Sequence, residues 1–299
     1  MKFGVTFSEP YAHSLGLRPV DVYRSLIHEI GIEIVRLCVY WDRTEPQAGK
    51  FDFHSLDWQV AEAGKANLDI ILAVGQKAPR WPEFHIPAWT SPNDPDFEQY
   101  LSRMLEATVR HFRDAPISIW QVENEPYFDF GGPPLEERLL RREIDLVRRL
   151  DDRPVMLTDS ADKGDWAAPA QWCDILGVNL YTRLWNGRRY SDINVAPFRY
   201  TRKIRSVSAS VESLMVSELQ AEPWGPRPAS ELTPSEAAMT MNPERLRRNA
   251  EIAVNASFET ALLWGGEWWY WLREHGDPAM WDAARSTIKE LASPFPDPA

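Results

Sequence analysis

Eight short apolar runs, each followed by a stretch with helical periodicity, recur along the 299 residues, and no other feature restricts the fold as much. They are FGVTF (3–7), IVRLCVYW (34–41), DIILAVG (69–75), ISIWQVENE (117–125), PVMLTD (154–159), DILGVNLY (174–181), SLMVSE (213–218) and TALLWGG (260–266). Strands that read as continuous apolar runs are buried on both faces, as in parallel sheets covered by helices. The intervening helical patterns fall at 19–30, 56–66, 96–112, 134–150, 164–172, 199–212, 243–257 and 277–291. In the 134–150 segment, Leu135, Leu139, Ile144, Leu146 and Leu150 are the expected inward side chains. A count of eight selects a closed barrel over an open sheet. The fold class expected is α/β, a single (β/α)8 TIM barrel occupying 1–299 as one domain, with no linker, low-complexity tract or solenoid repeat.

Composition narrows the partners rather than the fold. A net charge of -11 disfavours nucleic acid and anionic membranes, whose phosphates would be repelled. No apolar run approaches membrane-spanning length, and the N-terminus lacks the features of a secretory signal, so a cytoplasmic location is expected. Cys38 and Cys173 lie beside apolar residues without metal-site spacing, and read as buried thiols.

In a barrel of this kind the chemistry lies at the C-terminal ends of the strands. Glu9 and Tyr11 follow the first strand; Arg36, Tyr40 and Trp41 lie along or end the second; Gln76 and Lys77 follow the third. The fourth ends in Glu123, Asn124 and Glu125, the fifth in Asp159, the sixth in Asn179 and Tyr181, the seventh in Ser217 and Glu218, and the eighth in WGGEWWYW. Acids, amides and indoles converge on one mouth, with little His and no cluster of metal ligands, so neither a metal nor another cofactor is called for. Such a set suits a carbohydrate, because carboxylates and amides pair with hydroxyls while indoles pack on the apolar faces of sugar rings. Glu125 and Glu218, on opposite strands, can perform glycosidic chemistry if their carboxyls stand about 5 to 5.5 Å apart.

WQVENEP (120–126) resembles the fourth-strand motif of clan A glycoside hydrolases, and its QVENE core is particularly like families 35 and 42. VRLCVYWDRTEPQAGKFDFHSLD (35–57) is similar to the second-strand region of the same families, GVNLYT (177–182) to the sixth-strand segment of family 1, and MVSEL (215–219) to the seventh-strand ending of family 5. The resemblance implies Glu125 as general acid/base and Glu218 as nucleophile. Arg36 would keep Glu218 ionised, Tyr181 would donate to it, and Asn124 would meet the sugar 2-hydroxyl. Trp264 or Trp268 would floor the reactive subsite, and Trp41, Asn179 and Glu9 complete the expected binding set. The chain departs from family 5, where histidines stand in place of Gln76 or Lys77 and of Asn179, and from families 35 and 42, whose accessory domains it lacks.

Two readings compete with a retaining β-glycosidase acting on neutral glycosides: a catalytically silent carbohydrate-binding barrel, and a transglycosylase. Alternation places Glu123 and Glu125 on one side of the strand. Glu123, one layer deeper, is expected to be a supporting carboxylate that holds Arg36 or another buried donor. Glu45 reads as a turn residue, and Trp81 and Trp89 as the wall of an outer subsite or the pins of a long loop.

Overall fold

A computed structural model describes residues 1–193 and 196–292. Eight parallel strands close into the expected barrel: β1 (Lys2–Thr6), β2 (Ile34–Cys38), β3 (Asp69–Val74), β4 (Ile119–Val122), β5 (Val155–Ser160), β6 (Ile175–Leu180), β9 (Ser213–Gln220) and β10 (Thr260–Trp264), with β10 pairing back onto β1. Two further short strands, β7 (Arg183–Trp185) and β8 (Tyr190–Asp192), form an antiparallel hairpin in the loop after β6.

The barrel interior is layered. Ile34, Ile71, Met156, Ile175, Met215 and Leu262 form an apolar plug at its lower end, with Ile119 packed against them. Two residues further along their strands stand Arg36, Gln121, Thr158 and Ser217, so strand alternation repeats the inward direction with polar side chains. The larger apolar cluster lies outside, where strand residues such as Val35, Leu72, Trp120 and Leu157 meet the helices.

Seven helices of the outer layer match the sequence periodicity: Pro19–Glu29, His54–Lys65, Phe97–His111, Glu137–Leu150, Pro197–Val207, Pro243–Asn255 and Ala279–Leu291. The stretch 164–172, expected to be helical, contains only a single 3-10 turn at Pro169–Gln171. Pro169 has no N–H to give to a preceding turn, so a helix can only begin there, and β6 starts at Ile175. In helix Glu137–Leu150 the buried side chains are Leu140, Glu143, Ile144 and Val147, whereas Leu139, Leu146 and Leu150 pack at the flanks and Leu135 precedes the helix. The inward stripe is thus rotated from the expected one, and it carries an acid.

WGGEWWYW corrects a second expectation. The eighth strand stops at Trp264; Gly265, with φ +142, turns the chain, and Gly266–Glu274 is a helix. Trp268 and Trp269 follow helical spacing, not strand alternation. Both cysteines are free and buried, and no helix among the described residues is long and apolar enough to cross a membrane.

Candidate active site

The seventh barrel strand, β9, carries an irregularity at the mouth. Val178 of β6 pairs with Val216 but the next residue, Asn179, pairs with Glu218, and on the other side Ala261 and Leu263 span Val216 to Leu219. β9 therefore carries one extra residue against both neighbours. Such bulges re-aim side chains beside active sites. Ser217 donates to Asn179 Oδ1 at 2.7 Å, and Glu218 reaches across the interior. Arg36 Nη2 donates to Glu218 Oε1 at 3.0 Å, and the Tyr181 hydroxyl donates to Oε2 at 2.8 Å. Burial, then the charge of Glu218, holds the Tyr181 phenol well above its ordinary pKa, so it remains a donor.

Arg36 is wholly buried and spends its fork on three strands: Nε on Thr6 Oγ1 at 2.9 Å, Nη1 on Gln121 Oε1 at 3.1 Å, and Nη2 on Glu218. A guanidinium only donates, so Gln121 must turn its oxygen toward Arg36 and its amide nitrogen away. That nitrogen donates to Asn124 Oδ1 at 3.3 Å and to the Glu123 carbonyl at 3.0 Å. Thr158 Oγ1 also donates to Asn124 Oδ1, at 3.1 Å. Asn124 Nδ2 is thereby directed outward, where it donates to Glu83 Oε2 at 3.1 Å.

Period-two alternation does not govern the end of β4, because the ladder finishes at Val122 and both Glu123 and Glu125 adopt left-handed backbone, φ 59 and 42. The two acids consequently diverge. The Glu123 carboxylate, with no exposed surface, accepts from the backbone N–H of Gln76 at 2.8 Å and of Lys77 at 2.6 Å. A Cβ on Gly75 would collide with it, so glycine at that position makes room for the buried acid. Arg36 is not its partner; the other half of that expectation, a different buried donor, describes the contact. The Glu125 N–H approaches Thr158 Oγ1 at 2.8 Å, and its carboxyl takes no side-chain hydrogen bond among the described residues. Burial first, then the charges of Glu218 and Glu83, push its pKa well above the carboxylate range. The Lys77 ammonium, pulled down by burial, donates to the carbonyls of Glu125 at 3.1 Å and Phe128 at 2.9 Å.

The remaining expected residues divide. Asn179 sits beside Glu218, its Nδ2 buried without a partner among the described residues, and so does Asp159 Oδ2 one strand over; burial pushes the Asp159 carboxyl up to about 6. Trp264 ends β10 against Arg36, 5.7 Å from guanidinium to ring centroid. Trp268 is packed within its helix and 3 % exposed. Glu9 turns to the outer helix His54–Lys65, bonding Ser55 and Gln59, and is not brought to the group. Trp41 is also outside it: its indole donates to Glu45 at 2.7 Å and meets Trp89 edge to face. Glu45 additionally accepts from Gly49 N and Arg103, consistent with a turn.

Sequence reasoning missed Glu83, Arg80 and Glu143. Arg80 lies between the rings of Tyr11, 3.8 Å away, and Trp264, 4.1 Å away, and pairs with Glu222 and Glu267. The first two sit in the Pro-rich loop APRWPEFHIPAW, where no periodicity assigns a direction. Glu143 lay on a stripe whose phase was read differently. Among the described residues no group of His, Cys, Asp or Glu is arranged to hold a metal.

Comparison with known proteins agrees with this geometry. A family model described as β-galactosidase, glycoside hydrolase family 42, matches residues 20–130, which carry β2 through β4 and the Asn124–Glu125 pair. The β-galactosidase BbgII of Bifidobacterium bifidum is 25% identical over a stretch covering 33% of this chain and 17% of that protein, so the match spans a small part of that relative. Among solved structures, the GH5_18 protein of Bifidobacterium longum superposes with a TM-score of 0.67 at 13% identity, covering 99% of this chain and 80% of that one. The β-galactosidase of the Antarctic haloarchaeon Halorubrum lacusprofundi gives 0.66 at 14%, covering 99% and 58%. Xylanase 10B of Thermotoga maritima gives 0.64 at 12%, covering 96% and 94%. The fold is that of the clan A glycoside hydrolases, a (β/α)8 barrel, and the sequence likeness to family 42 runs through the strands that carry Arg36, Gln121, Asn124 and Glu125.

Proposed function

We propose that the protein is a retaining β-glycosidase acting by double displacement on neutral β-linked glycosides. The observation that carries this reading is the unequal treatment of two carboxyls at one mouth. Both oxygens of Glu218 are held by donors, Arg36 and Tyr181, which favours a carboxylate positioned to attack. Glu125 has the opposite environment: burial and the charge of Glu218 keep its proton on, as a general acid near neutrality requires.

In the first step a Glu218 oxygen bonds to the anomeric carbon as the bond from that carbon to the aglycone oxygen breaks, and Glu125 gives its proton to the departing oxygen. Tyr181 releases its hydrogen bond to the oxygen that becomes part of the ester. In the second step Glu125, now a carboxylate, takes a proton from water while the water oxygen displaces Glu218, returning both residues to their starting state. Asn124, its oxygen fixed by Gln121 and Thr158, presents an N–H for the 2-hydroxyl. The likeness to family 42 favours a galactoside-type substrate; the net charge of -11 favours a neutral one.

A panel of aryl β-glycosides read against Glu125→Gln and Glu218→Gln tests the reading. Each variant is expected to lose about 10³-fold or more in turnover with its circular dichroism unchanged, removal of a catalytic group being worth several kcal/mol. Azide is expected to rescue the two differently, and proton NMR of the first-formed sugar to show retained configuration. Wild-type turnover in either variant, or inversion, refutes it.

A further inference from the structure

The loop after β3 delivers a third carboxyl to the mouth. Glu83 is 6 % exposed and lies against Gly131, where a Cβ would stand 2.7 Å from that of Glu83. Its backbone is pinned on both sides: Glu83 N–H donates to the Arg80 carbonyl at 2.8 Å, and Ala78 N–H to the Glu83 carbonyl at 2.8 Å. Its φ is +71, and of the six non-glycine residues with positive φ among the described residues, four are Arg80, Glu83, Glu123 and Glu125. Left-handed backbone costs a side-chain-bearing residue about 1 kcal/mol or more, and persists where surrounding contacts demand that position. Glu83 thus shares with the two acids of strand four a conformation held at some cost.

The hydrogen bonds around it have a fixed direction. The donors run from Arg36 to Gln121, from Gln121 to Asn124 and from Asn124 Nδ2 to Glu83 Oε2. One hydrogen of Nδ2 is used on Glu83 and the second is free. Glu83 Oε1 takes no hydrogen bond from any described residue, yet it is not among the fully buried unpartnered atoms, so solvent reaches it. An amide N–H beside a carboxylate oxygen matches two neighbouring hydroxyls of a sugar ring: the amide donates to one oxygen and the carboxylate accepts from the other.

We propose that Glu83 is a substrate-contacting, specificity-determining carboxyl that accepts a hydrogen bond from the 3-hydroxyl, next to the 2-hydroxyl met by Asn124. The inference rests on the glycosidase reading above. It explains why a carboxylate is kept where its charge adds to the burden on Glu125, and it assigns the site to sugars with adjacent free hydroxyls at both carbons. Burial, then the charge of Glu218, lifts the Glu83 carboxyl to about 7.

The test compares kcat/KM for the aryl β-glycoside cleaved best with that for its 3-deoxy analogue, in wild type, Glu83→Ala and Glu83→Gln. Wild type is expected to prefer the parent by about a hundredfold, as sites built to bond a hydroxyl reject analogues without it. In Glu83→Ala the preference should collapse to about threefold, through loss on the parent alone. In Glu83→Gln, which keeps shape and an acceptor for Asn124, the alkaline limb of the kcat/KM profile should move to lower pH, because a negative neighbour of Glu125 is gone. Equal losses on both substrates with the preference intact would mean that Glu83 only braces Asn124, and an unmoved limb in Glu83→Gln would separate it from Glu125; either overturns the proposal. A wild type that cleaves no glycoside in the panel removes the underlying reading, and this proposal with it.

Discussion

Replacing Glu143 by Gln should stabilise the protein, and only above acid pH. Glu143 lies on the buried face of helix Glu137–Leu150, and neither of its oxygens has an N–H or O–H donor among the described residues. Its neighbour is the Glu123 carboxyl, and two carboxyls can bond only by sharing a proton. Burial, then the charge of Glu123, raises Glu143 well above the carboxylate range, and burial raises Glu123 to about 7. The folded protein therefore binds protons that the unfolded chain releases above about pH 4.5, and its stability falls as pH rises from there through about 7. Moving one carboxyl from 4.5 to about 7 corresponds to roughly 3 kcal/mol at about 1.4 kcal/mol per pH unit. A Gln amide donates to Glu123 at any pH, so Glu143→Gln should match wild type near pH 4.5 and exceed it by about 2–3 kcal/mol at pH 8. Urea denaturation followed by tryptophan fluorescence, from pH 4.5 to 8.5, measures the difference. A difference that does not change with pH, or a variant less stable than wild type at pH 8, refutes the shared proton.

Two other substitutions separate support from chemistry. Glu123→Gln replaces one of two acceptor oxygens by an NH2 facing the N–H groups of Gln76 and Lys77, so it should cost about 1–3 kcal/mol in urea yet retain measurable turnover, unlike Glu125→Gln. Equal loss of activity in the two would contradict the division of roles. Trp81 is 72 % exposed and begins a run of rings through Phe130 and Trp224 to Tyr181, with centroids 6.1, 5.5 and 5.2 Å apart. Trp81→Ala should therefore raise KM about tenfold for oligosaccharides while leaving simple aryl glycosides within twofold, since one stacking contact is worth about 1 kcal/mol or somewhat more. The same change on both substrates would detach Trp81 from any outer subsite.

The barrel was legible because parallel strands covered on both sides leave continuous apolar runs, and eight of them leave few alternatives. Arg36, Asn124, Tyr181 and Glu218 were legible because a strand's end fixes its side chains' common direction. Glu83 was not, since the loop 75–96 carries no period and its backbone is set by contacts with Gly131 and Arg80. Glu143 was hidden by helix phase: a rotation of about one residue position exchanges a flank for the buried stripe. Trp268 was misassigned to a strand because Gly265, which permits the turn into a helix, reads equally well as a strand glycine.

The extra residue in β9 has a bearing on how chains of this kind are compared. Met215 and Ser217 keep the ordinary beat of the strand, and Glu218 then enters the same interior on the next step, so two consecutive residues face inward. Any alignment that matches β9 to a regular strand by its hydrophobic rhythm will be out of phase by one from Ser217 onward, and will set Ser217 or Leu219 against the acid of its counterpart. Deleting one residue there would restore the rhythm and carry Glu218 to the helix side of the wall, away from Arg36. The position of the acid is thus encoded in a count of residues between Val216 and Leu219 rather than in the identity of the glutamate alone.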